Sequence, residues 1–193
     1  MFLRAIAIAA LFACAASAVE LHIQYNALER MLGDQVFTQD GRLYVKNDSR
    51  NKCNFAYLEK PQVRGDAGRL QIRARFTGRS ALNVFGQCVG IGDAFDVIIS
   101  ATPRYKDGAI SLADVTAAAD GKTGYYIRRV CEALQSSLGR DFRYPLGDAF
   151  RGALEDPALQ PKYPRTLRNF QVPEIRVTAD AVVLVVDFQL TVK

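Results

Sequence analysis

Between Thr123 and Phe142 the residues Ile127, Val130, Cys131, Leu134, Leu138 and Phe142 fall on one stripe of three- and four-residue steps, the spacing that lines one side of an α-helix. Arg128, Arg129, Glu132, Gln135, Ser136 and Arg140 take the other side. Thr123 can cap the first turn, because its hydroxyl accepts from free N–H groups there. Tyr144-Pro145 interrupts the pattern, since the residue before a proline avoids the helical region, although proline suits the first position of a new helix. Leu146, Ala149, Phe150, Ala153 and Leu154 then resume the stripe as far as Asp156-Pro157. The expectation is one long helix within 123–155, or two collinear ones broken near Tyr144. Its apolar face needs a cover, and almost everything else in the chain has strand character. An α+β fold follows, with the helix laid on a sheet.

The strand signals run in sequence. Val19, Leu21 and Ile23 alternate with polar residues, and Leu28, Met31, Leu32 and Val36 are spaced for a short amphipathic helix ending near Gly33. His22 belongs on the wet face of the first strand, since no partner for a catalytic base is recognisable near it. Leu43 and Val45 alternate before the polar loop Asn47–Asn51. Phe55, Tyr57 and Val63 form the next strand, in which Pro61 marks an edge or an interruption. After a turn at 65–68, Leu70, Ile72, Ala74 and Phe76 alternate strictly with Arg69, Gln71, Arg73 and Arg75. Arg69, Arg73 and Arg75 are candidates for an anion or headgroup site; equally, they are what the wet face of a half-buried strand requires. Gly86, Gly90 and Gly92 around Cys88 lack phosphate-loop spacing, so a hairpin end is expected there. Phe95, Val97, Ile99 and Ala101 make a strand closed by Pro103, and a turn at Lys106-Asp107-Gly108 leads to Ile110 and Leu112. Beyond the helix, Pro157, Pro161 and Pro164 mark an extended crossing. The chain then finishes in a hairpin, Val172–Val177 and Val182–Val192, turning at Ala179-Asp180. Val183 and Val185 make that last strand apolar on both faces, so it belongs between neighbours.

Residues 1–18 stand outside this pattern. One cation, Arg4, precedes the apolar run Ala5–Ala16, and Ala16-Ser17-Ala18 supplies the small residues of a signal-peptidase site. Leu11-Phe12-Ala13-Cys14 also approximates a lipobox, in which Cys14 would be acylated and anchor the protein. The run is shorter than the roughly 20 apolar residues that span a bilayer, and no later stretch reaches that length. The expectation is a signal peptide over 1–18 and a single domain over 19–193, in the periplasm or secreted, with lipid anchoring at Cys14 as the alternative. The formal net charge of +5 is modest and spread along the chain, which argues against a nucleic-acid partner. Cys53, Cys88 and Cys131 remain beyond residue 18. An odd count in an oxidising compartment means one disulfide and one free thiol, or no disulfide at all; one disulfide is expected. Cys131, on the helix stripe, is the expected participant and Cys88 its expected partner. No zinc spacing occurs, and with one histidine neither a metal nor another cofactor is expected.

Ala101-Thr102-Pro103-Arg104-Tyr105-Lys106-Asp107-Gly108-Ala109-Ile110-Ser111-Leu112 has a strand ending in Ala-x-Pro-x-Tyr, a short turn, then Gly-Ala-Ile-x-Leu. This stretch, with Leu154-Glu155-Asp156-Pro157, Tyr163-Pro164 and the terminal hairpin, resembles the YceB-like bacterial periplasmic lipoproteins. The resemblance implies a TULIP-type fold: a curved antiparallel sheet wrapped around one long helix in the C-terminal half, plus a short N-terminal helix. It also implies an apolar interior that accommodates lipid. On that basis Leu70, Ile72, Phe76, Phe95, Val97, Ile99 and Phe188 would face Ile127, Leu134 and Leu138 across the ligand space. The function expected is an exported, non-enzymatic protein that binds a lipid or other apolar molecule. The alternative is an envelope interaction protein with a closed core and a protein partner. An enzyme is disfavoured by the lack of a nucleophile elbow, a His-Cys pair or a metal cluster.

Overall fold

Strand outweighs helix by 59% to 22% in the computed structural model, which describes residues 19–156, 158 and 163–192. Residues 1–18, with the signal and the lipobox cysteine, lie outside the described residues. The order is β1 (Val19–Gln24), α1 (Tyr25–Gln35), β2 (Arg42–Lys46), β3 (Asn54–Asp66), β4 (Arg69–Val84), β5 (Gln87–Lys106) and β6 (Ala109–Ala119). There follow α2 (Tyr125–Asp141), β7 (Arg143–Tyr144), α3 (Leu146–Glu155), β8 (Arg165–Val177) and β9 (Ala181–Val192).

The strands form two antiparallel sheets. One, β2-β3-β4-β5-β6-β7, is a meander in which each strand pairs with the next. The other, β1-β9-β8, joins the first described strand to the last two. Its central strand is β9, whose Val182, Val183, Leu184 and Val186 are all buried. This is the both-faces burial that its unbroken apolar run requires. Tight turns connect the meander at Ala67-Gly68, Phe85-Gly86 and Asp107-Gly108. In each pair both residues have φ between 48° and 83°, as two-residue hairpin turns matching the strand twist demand. Lys60, with φ 55°, precedes Pro61 at a register shift between Glu59 and Gln62. The proline therefore interrupts the β3–β4 ladder; beyond it the Val63 amide, which points away from β4, donates to a Glu29 carboxylate oxygen of α1 at 2.7 Å.

The expected α+β fold around one long helix is overturned: the protein is mostly β, with three short helices among the described residues. The stripe over 123–155 is split between α2 and α3 by an extended segment that adds β7 to the edge of β6, Tyr144 opposite Ile110 and Arg143 opposite Ser111. Pro145 holds Tyr144 out of the helical region, and the freed backbone pairs with a strand instead of bridging two collinear helices. The sheet curls, but no single long helix fills it. Smaller corrections follow the same logic. Gly124, with φ 145° and no side-chain cap, replaces Thr123 at the start of α2. Gly33 lies inside α1, which ends at Gln35, and β5 runs through Pro103 to Lys106 with a register shift between Ser100 and Thr102.

The core lies where α2 covers the curled sheet. Phe76 and Phe95, 4.9 Å apart between ring centroids, are buried with Val97, Ile99 and Leu134, each 2% exposed or less. Where the two sheets meet, Gly65 of β3 faces the β8–β9 turn. The Tyr25 hydroxyl donates there to the Thr178 carbonyl at 2.6 Å. Burial, with the nearby Asp180 charge, raises that hydroxyl's pKa above its ordinary value.

Candidate functional site

Beneath α2 the core residues Phe76, Phe95, Val97 and Leu134 are packed, and the apolar cavity lies elsewhere. The stripe Leu28, Met31, Leu32 and Val36 turns one side of α1 toward the gap between the two sheets. From the meander come Leu70 and Ile72 of β4, Pro103 of β5, and Ile110 and Leu112 of β6; from the smaller sheet, Ile23, Ile175, Val182 and Leu184. Phe142, Tyr144 and Leu146, at the break between α2 and α3, close the far side. These walls surround a partly open cavity of ≈ 110 Å³ whose lining is apolar apart from Gln35 and the Tyr144 hydroxyl. Among the described residues no carboxylate, imidazole, thiol or amine lines it. A space of this kind excludes water, because a water molecule needs 2–4 polar partners that the walls do not offer.

Only two of the residues expected to hold a ligand, Leu70 and Ile72, reach this cavity. Phe95, Val97 and Ile99 are packed solid. Phe76 and Leu134 border a separate, open groove of ≈ 340 Å³ between α2 and β2–β4, whose rim carries Lys46, Arg79 and Arg129. Ile127, Leu138 and Phe188 are half-buried against the core. The residues that sequence reasoning missed are those of α1, although their stripe was visible in the sequence. What it could not show was that the smaller sheet stands across from that stripe. The break that ends the long helix supplies Phe142 and Tyr144 to the same cavity.

The arginine strip is spent on the sheet itself. Arg73 reaches Asp96 at 3.0 Å and Asp120 at 2.7 Å, and Arg75 reaches Asp96 at 3.2 Å. Hydrogen bonds from Arg73 and Arg75 hold the Asp96 carboxyl below the usual carboxylate range. Arg69 donates to the carbonyls of Ser100 and Asp114. All three lie on the outer face, away from the cavity. No protein-family model and no curated protein matches this chain. The site therefore has to be read from its own chemistry.

The expected disulfide exists, but with a different pairing. Cys53 is bonded to Cys88, with their Cα atoms 5.1 Å apart, and Cys131 is free and buried. Cys131 faces into the core beneath α2, where burial raises its thiol pKa and no second cysteine lies among the described residues. Cys53 sits in the loop before β3, and this loop, not a neighbouring strand, brings it to Cys88 of β5. Among the described residues no group of three or more His, Cys, Asp or Glu is placed to hold a metal ion. No helix there is long and apolar enough to cross a membrane.

Proposed function

We propose that this protein is an exported, non-enzymatic binding protein that takes an apolar ligand, an acyl-chain end or a molecule of similar bulk, into the cavity between α1 and the two sheets. The observation that carries it is the lining, apolar but for two side chains around ≈ 110 Å³. Cavities of this order, roughly 150 Å³ and lined by aliphatic and aromatic side chains, stay dry and accept benzene-sized guests. Left empty, a closed space of ≈ 110 Å³ would cost at most about 2.6 kcal/mol at ~24 cal/mol for each Å³, and a partly open one costs less. A guest that fills it recovers part of that cost. The N-terminal apolar segment, the Cys53–Cys88 disulfide and the resemblance to YceB-like lipoproteins favour an exported setting. The walls carry none of the groups that would hold and cleave a substrate, which favours binding over catalysis.

Displacement of a fluorescent fatty acid tests this. Wild-type protein should bind saturably. Leu28→Trp and Ile72→Trp, which push an indole into the cavity, should each weaken binding about tenfold or more in proteins that remain folded. An outward control, Arg104→Gln, should bind as wild type does. No saturable binding across fatty acids and phospholipids, or binding that both tryptophans leave untouched, would refute the proposal and leave the closed-core interaction protein in its place.

A further inference from the structure

The core face of β4 and β5 continues beyond the core. Their register runs without a shift from Leu70 opposite Ala101 to Val84 opposite Gln87. Side chains therefore keep the same alternation throughout. Phe76 and Phe95, which are paired and buried, set the inward face. Followed outward, that face carries Ser80 opposite Ile91, Leu82 opposite Val89, and Val84 opposite Gln87. Here nothing among the described residues covers it: Leu82, Val84, Val89 and Ile91 are 42–75% exposed.

The turn at the end adds an independent observation. Phe85 and Gly86 have φ of 50° and 83°, and the first place in such a turn favours asparagine or aspartate. A bulky residue at positive φ is uncommon and costs conformational energy. Phe85 repays none of it by packing, since its side chain is fully exposed at 102%. Nothing among the described residues accounts for an aromatic residue there.

The opposite face of the ribbon carries no large apolar side chain, with Arg79 opposite Gly92 and Ala81 opposite Gly90. It holds Asn83 opposite Cys88, and the Cys53–Cys88 bond ties it to the loop before β3. Arg50 and Lys52 of that loop lie with Asn83 around one shallow depression. Arg50 is paired with Asp48 and Lys122 with Asp93, whereas Lys52 and Arg79 have no ionic partner among the described residues. The surroundings of the tip thus keep a positive excess.

We propose that the β4–β5 ribbon docks on anionic phospholipid membranes, with Phe85 leading and Leu82, Val84, Val89 and Ile91 following into the boundary between headgroups and acyl chains. The four-residue span from Val84 back to Ser80 covers about 13 Å at ~3.3 Å per residue. That exceeds the ≈ 5–10 Å to which interfacial elements sink. Lys52, Arg79 and the remaining cations then stand at the level of lipid phosphates, whose negative surface attracts them. A convex tip with its largest apolar group at the apex suits insertion into a fluid interface better than docking on another folded surface. The inference is independent of the cavity: a cavity without ligand leaves it standing.

The test uses the chain from Val19 onward, which carries every described strand and helix. The protein contains no tryptophan, so Phe85→Trp places a single reporter at the tip. With vesicles of phosphatidylcholine and phosphatidylglycerol its emission should shift to the blue and be quenched by lipids brominated on the acyl chain. In flotation, Phe85→Ser should lower vesicle binding by the wild-type sequence about tenfold, and Leu82→Ser/Phe85→Ser further. Lys52→Glu/Arg79→Glu should lower it only on vesicles containing phosphatidylglycerol. All these side chains are exposed, so melting temperatures should match wild type. Absence of vesicle binding by the wild type, or binding that Phe85→Ser leaves unchanged, overturns the proposal. Self-association that Phe85→Ser abolishes, without vesicle binding, overturns it too and makes the ribbon an interface between copies.

Discussion

Replacing Gly65 by alanine should destabilise the protein, against the usual sign for such a change. In a strand that tolerates it, Gly→Ala stabilises by about 0.4–1 kcal/mol, because the unfolded chain loses freedom. Gly65 has no such tolerance. A Cβ there would lie well under 3.0 Å from both the Thr178 carbonyl oxygen and the Tyr25 hydroxyl, and 3.1 Å from the Thr178 carbonyl carbon. Accommodating it means moving β3 away from the β8–β9 turn. The bond from Tyr25 to Thr178, 2.6 Å long, would be lost or stretched, at a net cost of about 0.5–1.5 kcal/mol. Forcing the seam apart adds about 1–3 kcal/mol, as overpacking does elsewhere. The total of roughly 2–4 kcal/mol should lower the melting temperature by about 5–15 °C for a chain of this size. Circular dichroism melts and urea titration would measure it. Tyr25→Phe alone should cost about 1 kcal/mol. The double variant should be less than additive, because removing the hydroxyl relieves one of the two clashes. A Gly65→Ala protein as stable as wild type, or additive behaviour in the cycle, would refute the close joint between the sheets. Because Gly65 pairs with Leu70, a wall of the cavity, the same variant should weaken fatty-acid binding.

Leu134, 2% exposed on α2, should not tolerate aspartate: Leu134→Asp buries an unpaired carboxylate and should cost more than about 4 kcal/mol, seen as loss of cooperative unfolding in urea. Thiol titration without reductant should find Cys131 unreactive in the native chain from Val19 and one reactive thiol after denaturation. Three thiols, or one that reacts at once, would contradict the Cys53–Cys88 pairing and the burial of Cys131.

The legible parts of the fold were those fixed by neighbours in sequence. Alternation at Leu70–Phe76 and Phe95–Ala101 located β4 and β5, the X-Gly turns located their ends, and Val183 with Val185 marked β9 as an interior strand. Each signal depends on local period or local φ. The long helix failed because one stripe can be continued by two elements. Apolar residues at helical spacing on both sides of Pro145 cannot tell a kinked helix from two helices joined through an added strand. The backbone chooses the strand here because β6 offers Arg143 and Tyr144 an open edge. The disulfide failed for a related reason. Cys131 had the apolar setting of a core residue, and the core kept it as one.

The candidate site was legible in its parts and not in its assembly. Four of its side chains form the α1 stripe, and Val182 and Leu184 belong to the doubly apolar strand β9. Both features stood in the sequence, about 150 residues apart. What joins them is a non-local pairing: β1, which leads directly into α1, adds to β9, with Ile23 opposite Val182 and Leu21 opposite Leu184. That pairing carries α1 across the mouth of the gap between the sheets. A helix of three turns cannot fill the space between two sheets that meet at Gly65 and again where the Tyr105 hydroxyl of β5 donates to the Phe170 carbonyl of β8. Side chains of the length of leucine and methionine then leave a void, and the void sits at α1 because the longer α2 is committed to β6. Filling it from the α1 side therefore gives the sharpest separation of ligand binding from fold. Leu28→Trp should raise unfolding stability in the absence of ligand while abolishing fatty-acid binding, whereas a core substitution lowers both together.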